Sequence, residues 1–124
     1  MQKLLFTLFF GSTALLFANS SCDVPKNDFD GLYCLNKVYQ EADKELNENF
    51  KNLRTRLDTN GKGALKAGQL VWIDHRNNQC SKRVDNNFYV NLDCATKMTI
   101  QRSQFLQDRL RECVSSGCQN SKLW

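Results

Sequence analysis

The sequence predicts an all-α protein: an antiparallel three-helix bundle, up-down-up, stapled by disulfides and preceded by a cleaved signal peptide. Three observations predict it: a short apolar run behind Lys3, six cysteines beyond that run, and three stretches whose apolar residues recur every three or four positions. A chain of 124 residues, about a quarter of them charged, makes one small domain and is too polar for a multi-pass membrane protein, while 41% hydrophobic content excludes a wholly disordered one.

Lys3, then Leu4 to Phe10, then Gly11-Ser12-Thr13 and Ala14 to Ala18 read as a signal peptide over residues 1–20. The uncharged stretch from Leu4 to Ala18 is shorter than the ~20 residues that span a bilayer, so no membrane span is expected after cleavage. Small residues at Ala18 and Ser20 place the cut before Ser21, with cleavage after Ala18 as the alternative, and leave a single helical domain over 21–124. Cys22 invites a lipoprotein reading, but Asn19 stands where a Leu-like residue is wanted, and lipidation would strand one thiol. The expected location is the periplasm or the exterior, without a lipid anchor. There, six thiols read as three disulfides. No C-x-x-C pair or His at ligand spacing suggests a metal, and no cofactor is expected. Without Lys3, 16 basic face 13 acidic side chains, a charge of +3 too mild and too mixed to imply nucleic acid.

The first helix is expected over Leu32 to Leu57, with Leu35, Val38, Tyr39, Ala42, Leu46, Phe50, Leu53 and Leu57 on its apolar stripe. Asp28 or Asp30 would cap its start and Asn60-Gly61 its end. Glu41, Glu45 and Glu48 among Lys37, Lys44, Lys51 and Arg54 read as a solvated face. A second helix over Ala64 to Gln79 presents Leu65, Gly68 and Trp72, widened by Leu70, Val71 and Ile73, and is expected to be well buried. Gly68 in mid-helix marks close packing against a neighbour. Ser81 to Val90 reads as a loop with a short extended piece. The third helix starts near Asn91, carries Leu92, Ala95, Met98, Arg102, Phe105, Leu106, Leu110 and Cys113, and ends at Gly117.

Up-down-up packing gathers Cys34, Cys80 and Cys94 at one pole and leaves Cys113 at the other. A disulfide tolerates a Cα separation of only roughly 4–7 Å, so Cys113 pairs with Cys118 around the Gly117 turn. Cys80 with Cys94 and Cys22 with Cys34 complete the set, and exchange of partners within that pole stays open.

Two motifs tempt. Asp58-Thr59-Asn60-Gly61-Lys62-Gly63 opens like an EF-hand loop, but Lys62 puts a cation at a ligand position and Gln69 replaces the closing Glu, so the segment reads as a helix-hairpin turn. Asp74-His75 near Cys80 is similar to the His-Asp pair of helical secreted phospholipases, but the order is reversed and no calcium loop accompanies it. His75 reads as a packing or capping residue, and no catalytic residue is assigned.

Leu46-Asn47-x-x-Phe50, Gly68-Gln69-x-x-Trp72-x-x-x-Arg76-x-x-x-Cys80 and Cys94-x-x-x-Met98-Thr99-x-x-Arg102-x-x-x-Leu106 together resemble the LprI-type lysozyme inhibitor family of small exported bacterial proteins, over about residues 34–110. The chain departs from the family pattern at Gly68 and Asn77 and lacks a Gly-Gly-Ser stretch before its last Cys. The resemblance implies binding and inhibition of a lysozyme-type glycan hydrolase, and no enzymatic activity of its own. Such hydrolases work with two carboxylates in a cleft, which a rigid cationic loop can plug. Lys82 and Arg83, between Cys80 and Cys94, are the expected plug, with Asp74, His75 and Arg76 lining its base and Trp72 and Arg102 structural. An envelope interaction module without inhibitory activity is the alternative; a small hydrolase using His75 is the more distant one.

Overall fold

The computed structural model describes residues 22–124; the signal peptide expected over residues 1–20 lies outside them. Helix α1 spans Asp28–Arg54, α2 Thr59–Cys80 and α3 Leu92–Ser115, with strands β1 (Ser81–Val84) and β2 (Asn87–Val90) between α2 and α3 and a 3-10 turn over Asn120–Lys122. The fold is a disulfide-stapled bundle of three helices carrying one small hairpin. Its direction is readable at the ends. The Cys80 to Cys94 disulfide joins the end of α2 to the start of α3, while the Cys118 sulfur lies 3.4 Å from the Arg56 carbonyl oxygen just past α1. Helices α1 and α3 therefore run in the same sense and α2 opposes both.

Each α-helix has a side-chain cap at its start. Asn27, and neither Asp28 nor Asp30, caps α1: its side chain accepts from the Asp30 amide, and the two aspartates fall inside the first turn, facing the positive end of the helix dipole. Asp58 accepts from the Gly61 amide at 2.7 Å and starts α2 five residues earlier than the apolar pattern suggests. Asn60-Gly61 is thus part of the first turn of α2 and does not stop α1, which ends at Arg54; the EF-hand-like stretch is helix, not hairpin turn. Asn91 accepts from the Cys94 amide and opens α3, and Gly117, at φ 100, turns the chain after it.

The core is formed by Leu46, Leu53, Leu57, Leu65, Leu106 and Leu123, with Phe50, Trp72, Phe105 and Leu110 packed against it. Much of the rest is polar or small. Helix α3 buries Thr96, Thr99, Arg102 and Ser103, and α1 buries Ala42. Thr99 donates its hydroxyl proton to the Ala95 carbonyl oxygen at 2.7 Å, and Ser103 Oγ accepts from Asn49 Nδ2 at 2.7 Å, so these two hydroxyls are bonded, one within α3 and one between α1 and α3. Contrary to expectation, α2 is not buried over a wide face: Leu70 and Val71 are exposed, and its inward stripe is Leu65, Gly68 and Gln69. Leu32 and Leu35 at the start of α1 are also exposed.

The chain after α3 is held down at four points. Cys118 is bonded to Cys113, Asn120 Nδ2 donates to Asp58 Oδ1 at 3.1 Å, Lys122 Nζ lies 3.9 Å from Glu112 Oε1, and Leu123 is buried. Where it crosses α2 it passes over Gly68: a Cβ there would lie 2.6 Å from the Leu123 carbonyl oxygen and 3.1 Å from Trp124 Cα. The close neighbour that Gly68 accommodates is the C-terminal segment itself. Hydrogen bonds from the Gly61 amide, then from Asn120, hold the Asp58 carboxyl below its usual range.

Two outcomes follow for stability. Gly68→Ala must displace backbone and should cost about 1–3 kcal/mol, whereas Gly63→Ala, with nothing within 4 Å of its Cβ, should add roughly 0.5–1 kcal/mol; urea midpoints compare them. Because the Asp58 pKa is lowered on folding, its contribution is present above the unfolded value near 3.9 and lost as pH falls through the folded value. Asp58→Asn, which keeps a capping acceptor, should flatten the acid decline of the melting temperature below about pH 4; an unchanged decline would mean that Asp58 titrates alike in both states.

Candidate functional site

Residues 81–90, expected as a loop with a short extended piece, form an antiparallel hairpin in which that piece is β2 and Ser81–Val84 pairs with it as β1. Val84, Phe88, Tyr89 and Val90 favour extended backbone, and Asp85-Asn86 supplies a two-residue turn with Asp85 at φ 55, a left-handed conformation that Asp tolerates better than most residues. Lys82 pairs with Tyr89 and Arg83 with Phe88. Successive side chains on a strand point to opposite faces, so each face of the ribbon carries one cation beside one aromatic ring. The Arg83 guanidinium carbon sits 4.1 Å from the Phe88 ring centre, and Lys82 Nζ 5.6 Å from that of Tyr89. Neither cation is in an ion pair with a described residue.

The ribbon is anchored only at its root. The Cys80 to Cys94 disulfide closes it, and the Asn91 amide donates to the Cys80 carbonyl oxygen at 2.8 Å, extending the ladder by one rung. Both strands are exposed along their whole length. Gln79, Ser81, Lys82, Tyr89, Val90 and Asn91 border a shallow cleft of about 420 Å³ at the root. The arrangement presents charge and aromatic surface at the end of a fixed lever.

The other expected site residues are not all brought there. Asp74 and His75 are exposed on the last turns of α2, where Asp74 accepts from Asn78 Nδ2 at 3.3 Å. Arg76 turns to α1: its guanidinium lies 5.1 Å from the Trp72 ring and 5.9 Å from that of Tyr39, with Nη1 3.9 Å from Asp43. It ties two helices together and does not line the root of the hairpin. Trp72 is half-buried against the core.

Arg102 is buried, and its Nε donates to Gln69 Oε1 at 2.9 Å while the guanidinium stacks 4.5 Å from the Phe105 ring. Its partner is thus a side chain of α2, in keeping with the structural role expected of this arginine. Burial pushes the guanidinium pKa down from its ordinary value. Among the described residues, no group of three His, Cys, Asp or Glu side chains is placed to hold a metal ion.

Fold and surface define a disulfide-stapled helical domain that offers an exposed hairpin, closed at its root by a disulfide and carrying two cations. The family model described as lysozyme inhibitor LprI matches residues 22–106, and the chain belongs to that family. No curated protein and no solved structure matches it. The family is one of exported inhibitors, not enzymes, and no helix among the described residues is long and apolar enough to cross a membrane.

The Gln69–Arg102 bond gives a test of the shared middle. Gln69→Leu leaves a buried guanidinium without its acceptor and should cost about 3 kcal/mol, while adding Arg102→Met should recover much of that loss. Chemical denaturation of the two single variants and the double variant measures the coupling; additive losses would mean that the bond contributes nothing.

Proposed function

We propose that the exported protein binds and inhibits a lysozyme-type glycan hydrolase, acting in the periplasm or outside the cell after removal of residues 1–20. The hairpin over Ser81–Val90 enters the hydrolase cleft, and Lys82 and Arg83 face the carboxylates there. One observation carries this reading: both cations stand on a covalently closed ribbon, exposed on all sides and without ion pairs to described residues. Closure at Cys80 and Cys94 removes much of the ordering cost that a free loop would bear on binding, so more of the contact energy reaches the affinity. Stacking on Phe88 holds the Arg83 guanidinium in a defined plane, which suits a carboxylate that accepts two parallel N–H bonds. Asp74 and His75, exposed on the last turns of α2, flank the contact; Arg76 supports it from within the bundle.

Lysis assays against lysozymes of several types, with the oxidised protein lacking residues 1–20, test the proposal. Inhibition of at least one type is expected. Lys82→Glu with Arg83→Glu should weaken it at least about 30-fold, the equivalent of about 2 kcal/mol for reversed charges facing carboxylates, with the helical circular dichroism unchanged. Failure to bind any type would leave the alternative of an envelope interaction module, and undiminished inhibition by the double variant would reject the hairpin as the plug.

A further inference from the structure

A second cleft, of about 520 Å³, lies between the end of α1 and the first half of α2, lined by Phe50, Arg54, Lys62, Gly63, Lys66, Gln69 and Leu70. Its charged lining is all cationic. Arg54, Lys62 and Lys66 make no ion pair with a described residue, and no carboxylate lines the cleft. Three like charges gathered without a counter-charge repel one another, and an anion placed among them relieves that repulsion.

Gln69 points to the same chemistry independently. Its side chain is nine-tenths buried on the cleft floor. A guanidinium can only donate, so the bond from Arg102 Nε fixes Oε1 on the Arg102 side and leaves the Nε2 amide protons on the other. No described residue accepts from Nε2. The amide keeps two donors that no described residue uses, and the cleft beside it holds cations and no acceptor side chain except Gln69 itself. Phe50 and Leu70 complete the lining with apolar surface, Leu70 more than half exposed.

We propose that this cleft binds a small amphipathic anion, a carboxylate or phosphate head on a short apolar body. The head accepts from Gln69 Nε2 and pairs with Lys62, Lys66 and Arg54, while the body lies against Phe50 and Leu70. The site is separate from the hairpin, at the opposite end of α2, and does not depend on inhibition of a hydrolase.

Octanoate and octyl phosphate are the probes, with octanol, acetate and inorganic phosphate as controls lacking either the charge or the chain. Titration followed by nuclear magnetic resonance should move the Gln69 side-chain amide signals with both amphipathic probes and with none of the controls. Lys62→Glu with Lys66→Glu, at surface positions that leave the Arg102 bond intact, should weaken binding at least about 10-fold. Co-sedimentation of the protein, but not of that double variant, with phosphatidylglycerol vesicles would place the head on a lipid; octanoate binding without co-sedimentation would place it on a free amphiphile, and either supports the site. Octanol binding as well as octanoate, no movement of the Gln69 amide, or equal octanoate affinity in the double variant would overturn it.

Discussion

The buried guanidinium of Arg102 is the constraint around which the middle of the molecule is arranged. A cation removed from water must be compensated by hydrogen bonds and polarisable neighbours, or it destabilises the fold by several kcal/mol. Gln69 supplies the acceptor and Phe105 the ring face. Gln69 comes from α2 and Phe105 from α3, so the one bond to Gln69 fixes the height of α2 against α3, and Arg102 Nη2 stays buried without a partner among the described residues. Gly68, adjacent to Gln69, is forced by the same place: the C-terminal segment crosses α2 here, its Leu123 carbonyl oxygen 2.6 Å from where a Cβ would stand, and the Arg102 Nη2 nitrogen is 3.5 Å from that point. The Gly-Gln pair and the distant Arg of the family resemblance therefore belong to one packing requirement.

The α1–α3 seam solves a different problem. With few large apolar residues, the chain brings these helices together over Ala42, Ala95, Thr96, Thr99 and Ser103 and bonds the Thr99 and Ser103 hydroxyls internally. Small side chains allow close backbone approach and hence many weak dispersion contacts, while each bonded hydroxyl avoids the cost of a bare buried group. The disulfides are placed where such a core is thinnest. One ties the segment before α1 to its exposed first turns, one ties the hairpin root, and one ties the chain after α3.

Helix number, direction and order were legible because each helix carries an apolar stripe of helical period, and the sulfur pairs at Cys22 and Cys34, Cys80 and Cys94, and Cys113 and Cys118 are short-range neighbours once that topology holds. The start of α2 was not legible, since Thr59 to Gly63 is polar and glycine-rich, and only the Asp58 cap with the Asn120 bond explains why it is helical. Buried Thr99 and Ser103 escaped a reading based on apolar periodicity because their satisfaction depends on partners, not on hydropathy. The hairpin was half-hidden for a related reason: Lys82 and Arg83 look like loop residues until their registry with Tyr89 and Phe88 is known. Arg76 was misplaced because a cation near a helix end gives no sign in the sequence of which neighbouring helix it will stack on.

Helix α2 connects the two surfaces and also keeps them apart. Its last residue, Cys80, anchors the hairpin, and its first half, with Lys62, Lys66 and Gln69, forms one wall of the cleft. Between them Gln69 and Arg76 bind it to α3 and α1 respectively, so it cannot slide along either without breaking a bond to a buried guanidinium or pulling Arg76 away from Tyr39 and Asp43. A helix held in this way behaves as a strut. Contact at the hairpin then meets a root that does not yield, and occupation of the cleft adds bonds to the residue that already fixes the height of the strut. The narrow buried stripe of α2 is consistent with that role: it is positioned by a few directional interactions, which leaves its outer face free to differ without loosening either end.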